Sequence, residues 1–181
     1  TKYFDSVEFS TQKREFKTQT GTYKGKRLTV ISTGIGPDNI DIVLNELDAL
    51  VNIDFTTKTV KSNLTSLNIV RVGTSGSLQA DIPVDSLLMS AFAIGTDNML
   101  RSYDLENVQN QSIEKAFVSH TNWDLNKGLP YVVAADIDLL NKFKSDTFFE
   151  GITLTAGGFY GAQGRVLRLK LNDELFNDKI D

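Results

Sequence analysis

Leu67-Asn68-Ile69-Val70-Arg71-Val72-Gly73-Thr74-Ser75-Gly76-Ser77 opens as an apolar run and ends abruptly in small residues, the pattern of a mostly buried strand that delivers a loop at its end. A guanidinium inside such a strand is expensive to bury alone, so Arg71 needs a carboxylate partner or an anionic ligand. Gly73 and Gly76 let backbone N–H groups approach a ligand closely, and Thr74, Ser75 and Ser77 add hydroxyls. The stretch therefore offers a cradle for an oxyanion or phosphate. A structural Arg–Asp pair beside an ordinary tight turn is the competing reading, and these residues alone leave both open.

Upstream, Arg14 to Thr22 is polar and Thr-rich, Tyr23-Lys24-Gly25-Lys26 supplies a turn, and Leu28-Thr29-Val30-Ile31 follows as an apolar run, which predicts a β-hairpin. Ser32 to Asn39 is loop chemistry, with Asp38 or Asn39 suited to cap a helix. Apolar Ile40, Val43, Leu44, Leu47, Leu50 and Val51 then recur at helical spacing, with Asp41, Asn45 and Asp48 on the other side, so an amphipathic helix is expected. Phe55 to Asn68 has no helical stripe and reads as a strand extension or a surface insertion. Downstream, Ser86 to Ile94 and Ile152 to Thr155 read as strands, and Asp136 to Phe143 as a short helix capped by Asp136. Strands alternating with helices predict an α/β fold in one domain, 1–181, with ligands at the strand ends where the loops gather.

A second glycine-rich loop, Gly157-Gly158-Phe159-Tyr160-Gly161-Ala162-Gln163-Gly164-Arg165, joins an aromatic face to an amide and a guanidinium. Those groups suit stacking on a planar heterocycle and recognition of its edge, since Gln both donates and accepts and Arg presents a fork to carbonyl oxygens. A solvent loop with incidental polar residues is the alternative.

Composition narrows the function. The 181 residues carry 19 Lys+Arg against 23 Asp+Glu, a net charge of −4, which argues against a phosphate-tracking nucleic-acid binder. With 40% hydrophobic and 23% charged residues the chain is of ordinary globular composition, and with no cysteine it has no disulfide, thiol nucleophile or Cys-based metal site. No apolar run is long enough to span a bilayer, so a soluble, cytoplasmic protein without a membrane partner is expected. His120, the only histidine, reads as a surface-loop residue, and Asp136 with Asp138 as a helix cap and first-turn acid. The acidic stretch Asn172-Asp173-Glu174 with Asp178 and Asp181 reads as a solvated face. The triplets Asn63-Leu64-Thr65 and Asn110-Gln111-Ser112 match the glycosylation pattern and mean little without secretion.

Arg14-Glu15-Phe16, Ser32-Thr33-Gly34-Ile35-Gly36, Ile42 with Glu46-Leu47, and Arg71-Val72-Gly73-Thr74-Ser75-Gly76 occur in an order that resembles the nucleoside phosphorylase family. Phe159-Tyr160-Gly161-Ala162-Gln163-Gly164-Arg165 resembles the F-Y-x-x-Q-x-R base-recognition segment of its uridine phosphorylases. The resemblance implies a mixed central β-sheet flanked by helices in a three-layer architecture. It also implies phosphorolysis of a uridine-like pyrimidine nucleoside to free base and ribose 1-phosphate, with inorganic phosphate as co-substrate and no cofactor. A purine-type phosphorylase, a hydrolytic nucleosidase and a non-catalytic nucleoside-binding module are the alternatives; Arg71 argues against the hydrolase, whose members lack the phosphate-binding arginine.

By position, the resemblance assigns Arg14, Arg71 and Thr74 to phosphate, and Thr74, Ser75, Gly76, Phe159, Gln163 and Arg165 to the nucleoside. Arg71 and Arg165 would be the catalytic pair. It implies that Arg14 reaches a neighbouring subunit's site, hence a homo-oligomer with dimer-shared sites, and it suggests a hexamer. Glu15, Ile35 and Asn39 fall where some members bind a monovalent cation, with Asn in place of the usual Ser; no other metal is implied. The family's G-D-P-x-R phosphate loop and M-E-x-E ribose motif have no match here, so an internal portion of a subunit, incomplete at both ends, is expected.

Overall fold

The computed structural model describes residues 2–174 and 176–180. The chain divides into two compact units, Thr1–Ser66 and Leu67–Asp181.

In the first unit, β1 (Ser6–Lys13), β2 (Phe16–Tyr23) and β3 (Lys26–Ser32) form an antiparallel meander. The expected hairpin is β2–β3. Lys24 and Gly25 take positive φ of 48° and 73° between paired Tyr23 and Lys26, the left-handed backbone conformation of a type I′ two-residue hairpin turn, whose twist matches that of the strands. Gly21 has no room for a side chain, because a Cβ there would overlap the Ser6 carbonyl and the Phe4 ring. Helix α1 (Pro37–Asn52) follows as its apolar spacing predicts, and Ile40, Val43, Leu47 and Val51 are half-buried along one stripe. Its cap differs from expectation. Gly36, with φ 111° and no side-chain bond, precedes Pro37 at the first helical position, while the Asn39 amide is spent elsewhere.

The Phe55 to Asn68 stretch is partly ordered by a small hairpin, β4 (Ile53–Asp54) with β5 (Thr59–Val60). The Asp54 carboxylate accepts the Thr56 and Thr57 N–H groups at its turn, which holds that carboxyl below its usual range. Buried Asn52 then ties the following chain by exchanging both amide bonds with Thr65, at 2.7 and 3.2 Å.

The second unit is built on β6 (Leu87–Gly95), α2 (Gln111–Thr121), β7 (Tyr131–Ala134), α3 (Ile137–Phe143), β8 (Phe148–Thr155) and α4 (Phe176–Ile180). Its sheet runs β7-β6-β8, antiparallel on one side of β6 and parallel on the other, the mixed α/β arrangement expected. Asp136 caps α3 by accepting from Leu139 N at 2.8 Å. Helix α2 begins on Asn110, whose carbonyl oxygen accepts from Ile113 N at 3.1 Å, so that asparagine is a helix cap. Ile94, Tyr131, Val132 and Phe176 are buried, and Trp123 meets Phe117 and Phe176 at ring separations of 5.7 Å. Arg101 joins buried Glu114 at 2.6 Å, donates to the Leu129 carbonyl at 3.2 Å and also reaches that of Pro130. One guanidinium thus pins the entry to β7.

Three expectations are corrected. Leu67 to Val72 forms no strand; Ile69, Val70 and Val72 are 47%, 53% and 90% exposed. An apolar run becomes a buried strand only when another strand supplies its hydrogen-bond ladder, and none does so among the described residues. His120 lies in the exposed last turn of α2 rather than in a loop. Asp173 is not merely solvated, since Lys179 holds it at 2.9 Å; Asp181 lies outside the described residues. Among those residues, no helix is long and apolar enough to cross a membrane.

Candidate functional site

The two glycine-containing stretches of the second unit meet through one side chain. The Arg165 guanidinium lies over the Phe159 ring, 4.6 Å from its centroid. It also comes within 3.7 Å of where a Gly76 side chain would begin. The loop that carries Phe159 and Arg165 is tightly wound. A 3₁₀ turn over Gly161–Gln163 is closed by Tyr160 O accepting from Gln163 N and Arg165 N, at 2.9 and 3.0 Å. Gly164 ends it at φ 67°, a backbone state that suits glycine. The Gln163 amide donates to the Gly158 carbonyl at 3.1 Å, while the exposed Phe159 and Tyr160 rings pack edge to face at 5.2 Å.

The Arg71 to Gly76 stretch has none of that bracing. It is exposed and without regular structure. Arg71 folds back so that its Nη1 lies 3.2 Å from a Cβ built on Gly73. Among the described residues no carboxylate pairs with Arg71, so of the two readings open for it the structural Arg–Asp pair is absent there. Thr74, Ser75 and Gly76 lie exposed beside it.

In the first unit Arg14 is exposed at the β1–β2 turn with φ 53°. Glu15, Ile35 and Asn39 do come together: the Asn39 amide N–H₂ donates to Glu15 Oε1 at 3.1 Å and to the Ile35 carbonyl at 3.4 Å. Those two oxygens are hard donors of the kind alkali cations take, and each accepts one bond from the Asn39 amide nitrogen, which points toward them in place of the amide oxygen. Among the described residues there is no cluster of three His, Cys, Asp or Glu that would hold a metal ion.

Sequence reasoning missed the group at the carboxyl end of β6. There the Tyr131 hydroxyl donates to Asp97 Oδ1 at 2.7 Å across 34 positions of chain. Burial and the neighbouring carboxylate push the Tyr131 phenol above its usual range. The signal was the Ile94-Gly95-Thr96-Asp97-Asn98 break after an apolar strand.

A sequence model of the phosphorylase superfamily matches residues 1–177. The chain belongs to that superfamily. A solved nucleoside phosphorylase from Trypanosoma brucei, described as showing uridine phosphorylase activity, is 32% identical. It superposes with a TM-score of 0.75 over 96% of this chain and 62% of its own. A uridine phosphorylase from Phytophthora capsici, 22% identical with a TM-score of 0.57 over 99% and 61% of the two chains, shares the fold. The DeoD-type purine nucleoside phosphorylase of Listeria monocytogenes is 26% identical over 179 residues, 99% of this chain and 58% of that protein. The chain thus spans somewhat over half the length of these superfamily relatives, and its mixed α/β fold is that of the nucleoside phosphorylases.

Proposed function

We propose that the protein to which this chain belongs is a nucleoside phosphorylase that splits a pyrimidine nucleoside, uridine or a near relative, into free base and ribose 1-phosphate. The observation that carries this reading is Arg165, which bridges the aromatic face of Phe159 and the glycine stretch at Gly76. On this reading one guanidinium would border both the planar base and the sugar with its phosphate. The 32% identity with the Trypanosoma brucei protein supports it.

Phosphorolysis passes through an oxocarbenium-like sugar, as glycoside cleavage does. Phosphate attacks the anomeric carbon as the glycosidic C–N bond breaks, and the bonding pair leaves with the base. Arg71, with Thr74 and the Gly73–Gly76 amides, would hold the dianion in line. Arg165 and Gln163 would bind the base edge and stabilise the negative charge that develops on it, the logic of an oxyanion hole. Phe159 would cover the nucleoside face, and Ser75 with Gly76 would line the sugar. Arg14, exposed and without an ion pair among the described residues, would contribute to phosphate in a neighbouring subunit of a cytoplasmic homo-oligomer. A monovalent cation held by Glu15, Ile35 and Asn39 would require the Asn39 amide to turn its oxygen inward.

A purine-selecting enzyme is the second reading, favoured by the 26% identity with the Listeria protein. Incubating the full-length protein with uridine or inosine, with and without phosphate, separates the readings. Phosphate-dependent uracil release supports the proposal, and hypoxanthine release from inosine alone replaces it with the purine reading. Release without phosphate makes the protein a hydrolase, and no release leaves a binding module.

A further inference from the structure

We infer that Asp97, held by Tyr131, is a positioning residue for the base-recognition loop, fixing where the chain leaves β8 and so where Phe159, Gln163 and Arg165 stand. The inference rests on the nucleoside reading above for what the loop binds, but not for how the loop is held.

Five contacts converge on this corner. Thr96 donates both its N–H and its hydroxyl to the Thr155 carbonyl, the last of β8, at 2.9 and 3.2 Å. Two residues on, the site of a Gly157 side chain lies 3.6 Å from both Cα and Cβ of Asp97, so the loop starts directly against that residue. The Asp97 carboxylate is fixed in turn: one oxygen accepts from Met99 N at 2.9 Å and from the Tyr131 hydroxyl at 2.7 Å. Tyr131 is itself buried, 5% exposed, with the carbonyls just before it bound to Arg101. Gly95 completes the corner, since a Cβ there would overlap the Tyr131 ring. A chain of fixed contacts therefore runs from Arg101 through Tyr131 and Asp97 to Gly157.

Nothing about the packing of β7 on β6 needs the hydroxyl, because their ladder pairs Gly95 with Tyr131 through the backbone. Tyr131→Phe keeps the ring and removes only the bond to Asp97, whereas Asp97→Asn keeps an acceptor oxygen for it.

The experiment uses the full-length protein and two readouts. The first is limited trypsin cleavage after the exposed Arg165, compared with cleavage after Arg14, which reports loop order without any assumption about activity. The second is steady-state phosphorolysis with nucleoside and phosphate varied separately. Tyr131→Phe is expected to speed cleavage at Arg165 but not at Arg14, and to raise KM for the nucleoside roughly tenfold, with kcat and KM for phosphate held within about twofold. Asp97→Asn, which keeps an acceptor for the Tyr131 hydroxyl, should leave both readouts close to those of the unaltered protein. Cleavage at Arg165 unchanged in Tyr131→Phe overturns the inference, as does a lowered melting temperature with the nucleoside KM unmoved, the mark of a merely structural pair. If the parent protein turns over no nucleoside but Tyr131→Phe loosens the loop and Asp97→Asn does not, the positioning stands and the phosphorylase reading falls.

Discussion

The stretch around Arg71 and the loop around Arg165 are both short, glycine-containing and exposed, yet they are held in opposite ways. The Arg165 loop is wound on a 3₁₀ turn, stacked through a guanidinium on Phe159 and seated on Asp97. The Arg71 stretch has no regular structure, with its guanidinium resting over its own Gly73. Groups that read a planar, mostly neutral base gain from being fixed beforehand, because their hydrogen bonds are individually modest. Groups that meet a dianion can be organised by it, since charge-assisted bonds are about twice as strong.

The largest expected effect breaks the comparison on the Arg71 side. On the proposed reading, Arg71→Ala removes the one charge the stretch would offer phosphate, and kcat/KM should fall about a thousandfold, roughly 4 kcal/mol, measured as phosphate-dependent uracil release. A fall under about tenfold would mean that the dianion binds elsewhere. On the other side, Arg165→Met should lower kcat/KM for uridine about a hundredfold and for inosine less than about fivefold, because an unpaired base edge is costly only for the base the loop was built to read. Equal losses for both nucleosides would show that Arg165 serves the sugar or phosphate. Gly164→Ala tests the winding of the loop. Its φ of 67° and the Asn177 side chain 3.2 Å from the new methyl should together cost about 1–2 kcal/mol in urea unfolding. A neutral result would mean the turn relaxes freely.

Legibility in the sequence follows the same division. Elements whose signal is local were readable: the Lys24-Gly25 turn, the stripe of α1, the Asp136 cap and the aromatic-amide-guanidinium loop each need only neighbours in the chain. What failed needed a distant partner. Ile69 and Val70 read as buried because apolar runs usually find a ladder, and whether one exists is not written in the run itself. The meeting of Asp97 with Tyr131 depends on β6 and β7 pairing, which no window of the sequence contains. Glu15, Ile35 and Asn39 were picked out by resemblance and do converge, yet the sequence does not say that the Asn39 amide turns its nitrogen toward the other two.

The smallest expected effect separates two glycines three positions apart. Neither Gly73 nor Gly76 has positive φ, so alanine costs neither of them backbone strain. They differ in what a methyl would meet. At Gly73 it lies 3.2 Å from Arg71 Nη1, tighter than ordinary contact, and the guanidinium must lift away from the loop; at Gly76 it meets Arg165 Nη2 at 3.7 Å, ordinary van der Waals distance. Gly73→Ala should therefore raise KM for phosphate about threefold, well under 1 kcal/mol, and leave KM for the nucleoside alone. Gly76→Ala should leave KM for phosphate within about 1.5-fold, a difference too small to distinguish from none. If the two alanines raise KM for phosphate equally, Arg71 does not work from its place over Gly73. The unbraced stretch would then owe its geometry wholly to the bound anion, which would sharpen its contrast with the prewound loop.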